Sequence, residues 1–210
     1  MKASYLIRKA QPKDVPAIAA INSQNLLENL THLSAEQLAR RGFLVSRLDE
    51  RKILSIVQDG KNGLVRVACN GAQVVGYAFA YNGLLLMRDE PQLLDTLQIN
   101  PEYRAMFGEF CAGAIKLVCL DQIAVDEQMG RGAGRPLFER VLKDALKQGY
   151  QVLEDLVLLQ PVRNDRSHRF HDEVGMVSVG TQTIGKNGQA YVWDLKVQFL
   201  CPDLRAAEGS

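Results

Sequence analysis

The sequence predicts an α/β fold, and three observations predict it. Residues 122–125 end a strand that runs into a loop punctuated by Gly130, Gly132 and Gly134, and this loop opens directly into a helix. Asn70 and Gly71 separate two strand-like segments, 64–69 and 73–81, and Asn-Gly is the strongest short hairpin signal. Residues 152–159 are nearly all apolar, as expected of a central strand buried on both faces.

In chain order, residues 5–10 read as a first strand. Pro12 and Asp14 mark the start of a helix whose Val15, Ile18, Ile21, Leu26 and Leu30 recur near helical spacing. Ser34 and Gln37 have the capping-box form and open a short second helix. Residues 42–46 are extended or loop. Asp49 caps a third helix over 50–58, which Gly60 ends. After the hairpin strands comes a stretch over 83–115 with a helix-like piece at 90–98 and an aromatic cluster at Tyr103, Phe107 and Phe110. Residues 116–125 form the strand that feeds the glycine loop, and 135–148 the helix beyond it. The strand 152–159, a helix over 165–174, and a hairpin of 176–184 with 190–199 complete one domain over residues 1–200. The tail 201–210 is expected to be mobile.

Alternating Gly130, Gly132 and Gly134 let the backbone turn tightly and approach a ligand with no Cβ in the way. The first amides of the following helix lack intrahelical acceptors and carry the positive end of its dipole. Such a loop is a socket for a phosphate or a diphosphate. A Walker loop needs Gly-Lys-Ser/Thr, but Gly134 is followed by Arg135 and Pro136. A dinucleotide fingerprint needs Gly-x-Gly-x-x-Gly, and the third glycine falls on Arg135 or on Leu137.

A third design remains. The run from Met129 to Gly134 resembles the pyrophosphate loop of the GCN5-related N-acetyltransferases, Gln/Arg-x-x-Gly-x-Gly/Ala, with Met129 where Gln or Arg is usual. Downstream, Asn164, Ser167, Phe170 and Gly175 fall on that family's later motif, Asn-x-x-Ala/Ser-x-x-Phe-Tyr followed by Gly-Phe. His171 stands where the family has Tyr, and Met176 where it has Phe. The opening segment from Tyr5 to Ile18 also resembles the family's first strand and helix.

The resemblance implies a mixed, mostly antiparallel sheet of about seven strands, with helices on both faces and a splayed parallel strand pair, 116–125 with 152–159. The segment 83–115 is then an insertion, either a surface excursion or a wall over the acceptor site. Acetyl-CoA is the implied co-substrate. Backbone groups at Ile123, Ala124 and Val125 would bind its pantetheine arm. Gly130, Arg131, Gly132, Ala133, Gly134 and Arg135 would hold its pyrophosphate, and Asn164, Ser167 and Phe170 would contact the cofactor further along. The implied reaction is direct acetyl transfer to a primary amine on a small molecule or peptide; the alternative is a non-catalytic acyl-CoA-binding module. His171 is a candidate general acid, or simply a polar helix residue near the cofactor, and His168 one turn earlier faces solvent. Asp121 is a candidate base, because a carboxylate in an apolar strand has a raised pKa; otherwise it is a hydrogen-bonded structural acid. Glu28, Asn29, Tyr81 and Asn82 lie near the implied acceptor mouth, and Arg40, Arg41 and Arg47 read as a solvated face. Relatives that dimerise through sheet edges make a homodimer an expectation.

Composition agrees. The 210 residues are 47% hydrophobic and 23% charged, within the range of globular domains. A net charge of +1 gives no bulk pull toward nucleic acid or an anionic membrane. No apolar run approaches the roughly 20 residues of a spanning helix. Cys69, Cys111, Cys119 and Cys201 are far apart, which argues against a zinc site or a disulfide framework and for a cytoplasmic setting.

Overall fold

A computed structural model describes residues 5–60, 62–85, 91–186 and 188–201. The chain is mixed α/β, with eight mostly antiparallel strands and one parallel pair. It divides into two compact units.

The first unit takes in Met1–Ser34, Phe43–Tyr81 and Leu120–Ala145. β1 (Leu6–Lys9) pairs antiparallel with β2 (Gly63–Asn70), which pairs antiparallel with β3 (Gln73–Asn82). The register Asn70↔Gln73 leaves Gly71 and Ala72 as a two-residue turn, and Gly71 takes φ 59°. That is the left-handed conformation the Asn-Gly pair foretells. A 3-10 turn at Pro12–Asp14 leads into α1 (Val15–Asn25). The helix stops earlier than its apolar spacing predicts. Leu26 turns extended and makes a parallel bridge to Leu44, with the Leu27 amide donating to the Leu44 carbonyl at 2.8 Å. Burying Leu26 completely satisfies its side chain without another helical turn. α3 (Glu50–Asp59) begins and ends as expected: the Asp49 carboxylate accepts from the Arg51 amide at 2.7 Å, and Gly60 is left-handed. The core is Ile18, Ile53, Leu64, Val67, Tyr77, Phe79, Leu137 and Phe138, all buried.

The second unit takes in Ala35–Gly42, Asn82–Cys119 and Leu146–Ser210. It contains α2 (Ala35–Arg41), a 3-10 turn at Pro91–Thr96, β4 (Leu97–Ile99) and α4 (Arg104–Cys111). The expected helix over 90–98 is therefore a 3-10 turn followed by a strand; Glu90 lies outside the described residues. β4 pairs antiparallel with β7 (Val177–Lys186), so the insertion adds an eighth strand to the seven expected. β7 pairs with β8 (Gln189–Phe199), and β8 with β6 (Val152–Gln160). β5 (Leu117–Val125) starts in this unit and ends in the first. Its parallel ladder with β6 has three pairs, from Leu117↔Val152 to Cys119↔Glu154. α5 (Gly134–Lys147) and α6 (Asp165–Glu173) complete the elements. The tail expected to be mobile, from residue 202 onward, lies outside the described residues.

Candidate functional site

The glycine loop belongs to the first unit. The Asp126 amide donates to the Val75 carbonyl of β3 at 2.8 Å, which anchors the start of the loop. The Asp126 carboxylate accepts from the amides of Gln128 and Met129 at 3.0 and 2.8 Å. A turn follows, closed by the Ala133 amide donating to the Gly130 carbonyl at 3.0 Å. Its central residues, Arg131 and Gly132, are exposed, and Gly132 takes φ 88°. The Tyr5 hydroxyl shares its proton between the carbonyls of Met129 at 3.0 Å and Arg131 at 2.8 Å. Peptide groups are planar and trans, so holding the Arg131 carbonyl toward Tyr5 turns the Gly132 amide the other way, to solvent.

Beyond the turn, α5 begins at Gly134. The Gly134 and Arg135 amides lie in its first turn, where no intrahelical acceptor exists, and Pro136 has no amide to satisfy. A Cβ on Gly132 would meet nothing within 4 Å, so the space beside it is open. Outward amides, a helix N-terminus and the guanidinium groups of Arg131 and Arg135 together fit a diphosphate. Gly130 does something else. It is buried, and a Cβ there would lie 2.3 Å from the Val75 carbonyl oxygen and 2.8 Å from that of Asp126. Its glycine serves packing against β3, whereas Gly132 serves the turn.

β5 leads into this loop. Asp121, Ile123 and Val125 share a half-buried face, while Gln122 and Ala124 are buried on the other. The Val125 carbonyl accepts from the Asn25 amide group at 3.1 Å. Asp121 is therefore partly solvated rather than sealed in an apolar strand. Behind it lies a network that no sequence motif reveals. The Tyr77 hydroxyl donates to Gln122 Oε1 at 2.7 Å, Asn22 Nδ2 donates to the same oxygen at 2.8 Å, and Gln122 Nε2 donates to the Ser46 carbonyl at 2.8 Å. Burial pushes the Tyr77 hydroxyl's pKa far up. A tyrosine that stays neutral ties α1, β3 and β5 together.

The later motif belongs to the second unit and forms α6. Asn164 is its N-cap: its Oδ1 accepts from the Ser167 amide at 3.2 Å. His171 is 4% exposed. Its Nδ1 lies 2.7 Å from the Ser167 carbonyl and its Nε2 2.7 Å from Asp155 Oδ2 on β6. A carbonyl only accepts, so Nδ1 carries a proton, and a second proton lies between Nε2 and the carboxylate. Burial alone would lower the His171 pKa, but Asp155 outweighs it and raises it. Burial likewise raises Asp155 against the pull of His171. Both directions describe a pair that keeps one shared proton. Phe170 meets the His171 ring edge-on, with centroids 5.3 Å apart.

No protein-family model and no curated protein matches the sequence. Solved structures do match. The Salmonella typhimurium protein yncA, solved with its cofactor acetyl-CoA, is 19% identical over 95% of each chain, with a TM-score of 0.59. A ribosomal-protein-alanine N-acetyltransferase from Brucella melitensis is 21% identical over 92% of this chain and 99% of that one, with a TM-score of 0.57. Arabidopsis thaliana NAA60, solved with a bisubstrate analogue, is 15% identical over 93% and 98%, with a TM-score of 0.60. The chain has the GCN5-related N-acetyltransferase fold.

Within that fold, the motif residues lie on the loop and the helix that the motifs predict, while His168 differs from expectation. His168 corrects the solvent-facing expectation: it is 5% exposed, with Nε2 3.3 Å from the Leu158 carbonyl and Nδ1 3.5 Å from Asp194. Burial lowers its pKa. Glu28 and Arg47 pair with each other at 2.6 Å on the surface, as do Arg40 and Glu36. Asn29 donates to the Ser23 carbonyl at 2.8 Å, and Asn82 Oδ1 accepts from the Leu84 amide at 3.1 Å. Tyr81 is buried beneath the Lys52 ammonium. Two buried charges on β8 are not legible in the sequence. Lys196 Nζ donates to Asp172 at 2.7 Å and Ser178 at 3.3 Å, and Ser178 Oγ donates to Asp194 at 2.9 Å. For the histidine pair a signal does exist: Asp155, a charge inside an apolar run, demands a buried partner, and His171 is that partner.

The two histidines should titrate in opposite directions. An NMR titration, assigned with His168→Gln and His171→Gln, should place His171 above and His168 below the ordinary value of about 6.5. The raised His171 contributes stability that is complete below about pH 6.5 and fades as pH rises through its folded pKa. The lowered His168 weighs against the fold as pH falls below about 6.5. Two coincident curves at the ordinary value would contradict the shared-proton geometry.

Proposed function

We propose that the chain is an acetyl-CoA-dependent N-acetyltransferase that passes an acetyl group directly to a primary amine. The observation that carries this reading is the loop from Asp126 to Arg135. Its outward Gly132 amide, its helix N-terminus and its two arginines suit a diphosphate, and they occur in a fold whose solved examples include one with acetyl-CoA. Arg131, Gly132, Gly134 and Arg135 would bind the pyrophosphate. Ala133, buried beneath the turn, and Gly130, packed on β3, would hold the loop's shape rather than touch the ligand. Bound acetyl-CoA supplies the activated acyl carbon. The protein's own work is then to fix the pyrophosphate end, to line up the backbone of Ile123–Val125 along the ligand, and to let the amine approach neutral.

One observation favours a second reading, an acyl-CoA-binding module without turnover. His171, at the position of the family's tyrosine, has both ring nitrogens committed to Asp155 and Ser167. In this geometry it positions α6 on β6 instead of offering a proton to a leaving thiolate. Turnover then needs water or another group as the acid.

Calorimetric titration with acetyl-CoA separates these from no function at all. Wild type should bind at micromolar affinity, and Gly132→Asp should weaken binding at least about tenfold, since it sets a carboxylate against the phosphates. No binding to acetyl-CoA or to free CoA would overturn both readings. Thiol release with an amine panel then decides between them.

A further inference from the structure

The turn at the centre of the phosphate loop has two possible forms, and one hydroxyl selects between them. The Ala133 amide donates to the Gly130 carbonyl at 3.0 Å, which makes a β-turn with Arg131 and Gly132 at its centre. Gly132 takes φ 88°. Such a value belongs to the third residue of a type II turn; in a type I turn the same residue sits near about −90°. The two forms differ in the peptide plane between Arg131 and Gly132, which turns over while the closing hydrogen bond remains. That plane carries a carbonyl on one side and an N–H on the other. One form offers an anion a donor, and the other offers it a repelling oxygen.

Glycine takes positive and negative φ about equally, so Gly132 itself chooses neither form. The bias comes from outside the turn. The Tyr5 hydroxyl lies 2.8 Å from the Arg131 carbonyl oxygen and 3.0 Å from that of Met129. Turning the central plane over would swing the Arg131 carbonyl away and bring an N–H toward that side in its place. Tyr5 is itself well placed to hold on. It directly precedes β1, which the register Leu6↔Cys69 to Lys9↔Arg66 ties to β2. Arg8 on the same strand grips Asp14 through two hydrogen bonds, at 2.6 and 2.9 Å. On the loop's other flank, the Gly130 amide donates to the Asp126 carbonyl at 2.9 Å. Both flanks are held, and the choice falls on the central peptide.

We propose that Tyr5 is a positioning residue: its hydroxyl locks the Arg131–Gly132 peptide with the N–H outward, and so makes the turn a receptor for a diphosphate. The inference rests on the reading of this loop as a pyrophosphate site. Tyr5 acts through the Arg131 carbonyl, not on the ligand. A residue 126 positions away in the chain thereby sets the loop's affinity for anions.

The test compares the full chain, isotope-labelled for NMR, as wild type and as Tyr5→Phe, which keeps the ring and removes only the hydroxyl. In a type II turn the Arg131 Hα lies against the Gly132 amide proton; in a type I turn the Arg131 and Gly132 amide protons lie against each other. Wild type should show a strong Hα–amide Overhauser cross-peak. Tyr5→Phe should lose most of it and gain the amide–amide one, a change that a merely structural role would not produce. Inorganic pyrophosphate and free CoA should each bind Tyr5→Phe about tenfold more weakly, the weight of one hydrogen bond to a charged group. A weak Hα–amide cross-peak in wild type would overturn the proposal whether or not the variant folds. CoA that binds both proteins equally sinks the role of Tyr5 alone. Pyrophosphate bound in a Tyr5-dependent way, with no binding of CoA, sinks the cofactor reading alone. Wild type that binds neither overturns both.

Discussion

Gly130→Ala should destabilise the protein by about 3 kcal/mol and loosen the phosphate loop with it. A methyl group there would lie 2.3 Å from the Val75 carbonyl oxygen and 2.8 Å from both the Asp126 carbonyl oxygen and Val125 Cβ. Two of these three neighbours are backbone, so no rotamer change relieves the clash. Relief requires the loop to lift from β3, which breaks the Asp126 amide's bond to Val75 and the Gly130 amide's bond to Asp126. Gly132→Ala is the control. It carries only the left-handed backbone cost of about 1 kcal/mol, because a Cβ there meets open space. Chemical denaturation of both variants checks the contrast. Equal midpoints would mean that Gly130 does not pack as described.

Those two glycines show where sequence reading reaches its limit. The triplet Gly130, Gly132 and Gly134 announces a tight loop before a helix, and the loop is there. Spacing cannot tell a glycine that admits a ligand from one that admits a neighbouring strand, since both require a missing Cβ. Local signals do well wherever the cause is local. Asn70-Gly71 places the hairpin, Asp49 and Gly60 bound α3, and the apolar run places β6. Failures come where the cause is distant in sequence. Leu26 leaves its helix for a bridge to Leu44, and the stretch after Pro91 becomes a strand because β7 offers it an edge. His168 reads as a solvent-facing residue, because only the folded unit brings Asp194 and the Leu158 carbonyl to it.

The second large effect concerns Asp144 on α5. Its carboxylate accepts from Arg66 Nε on β2 at 2.6 Å and from Arg140 Nε at 2.8 Å, and Arg66 and Asp144 are 7% and 8% exposed. Asp144→Ala should cost about 3 to 5 kcal/mol, because it strands the Arg66 guanidinium inside the protein with no counter-charge. Replacing both partners at once, Arg66→Met with Asp144→Leu, should recover most of that loss. Burial would raise the Asp144 pKa, but Arg140 and Arg66 outweigh it and hold the carboxyl below its ordinary value. The stability this contributes is present above about pH 4 and is lost as pH falls through the folded pKa. Denaturation midpoints of wild type and the two variants between neutral and acid pH read both claims. A single Asp144→Ala variant as stable as wild type would mean that the pair is solvated rather than buried.

The clasp of Tyr5 on the carbonyls of Met129 and Arg131 spans 124 and 126 residues of chain. At a translation rate of about 5 to 20 residues per second, the tyrosine emerges from a ribosome roughly 6 to 25 seconds before the loop it will hold. β1 faces the same delay in part, for its partner β2 comes some sixty residues later. The nascent first unit therefore waits, with an apolar face assembled from three separated stretches, until its last piece is made. Synthesis at a slower rate lengthens that exposure, and the yield of folded protein should track how well chaperones cover the interval.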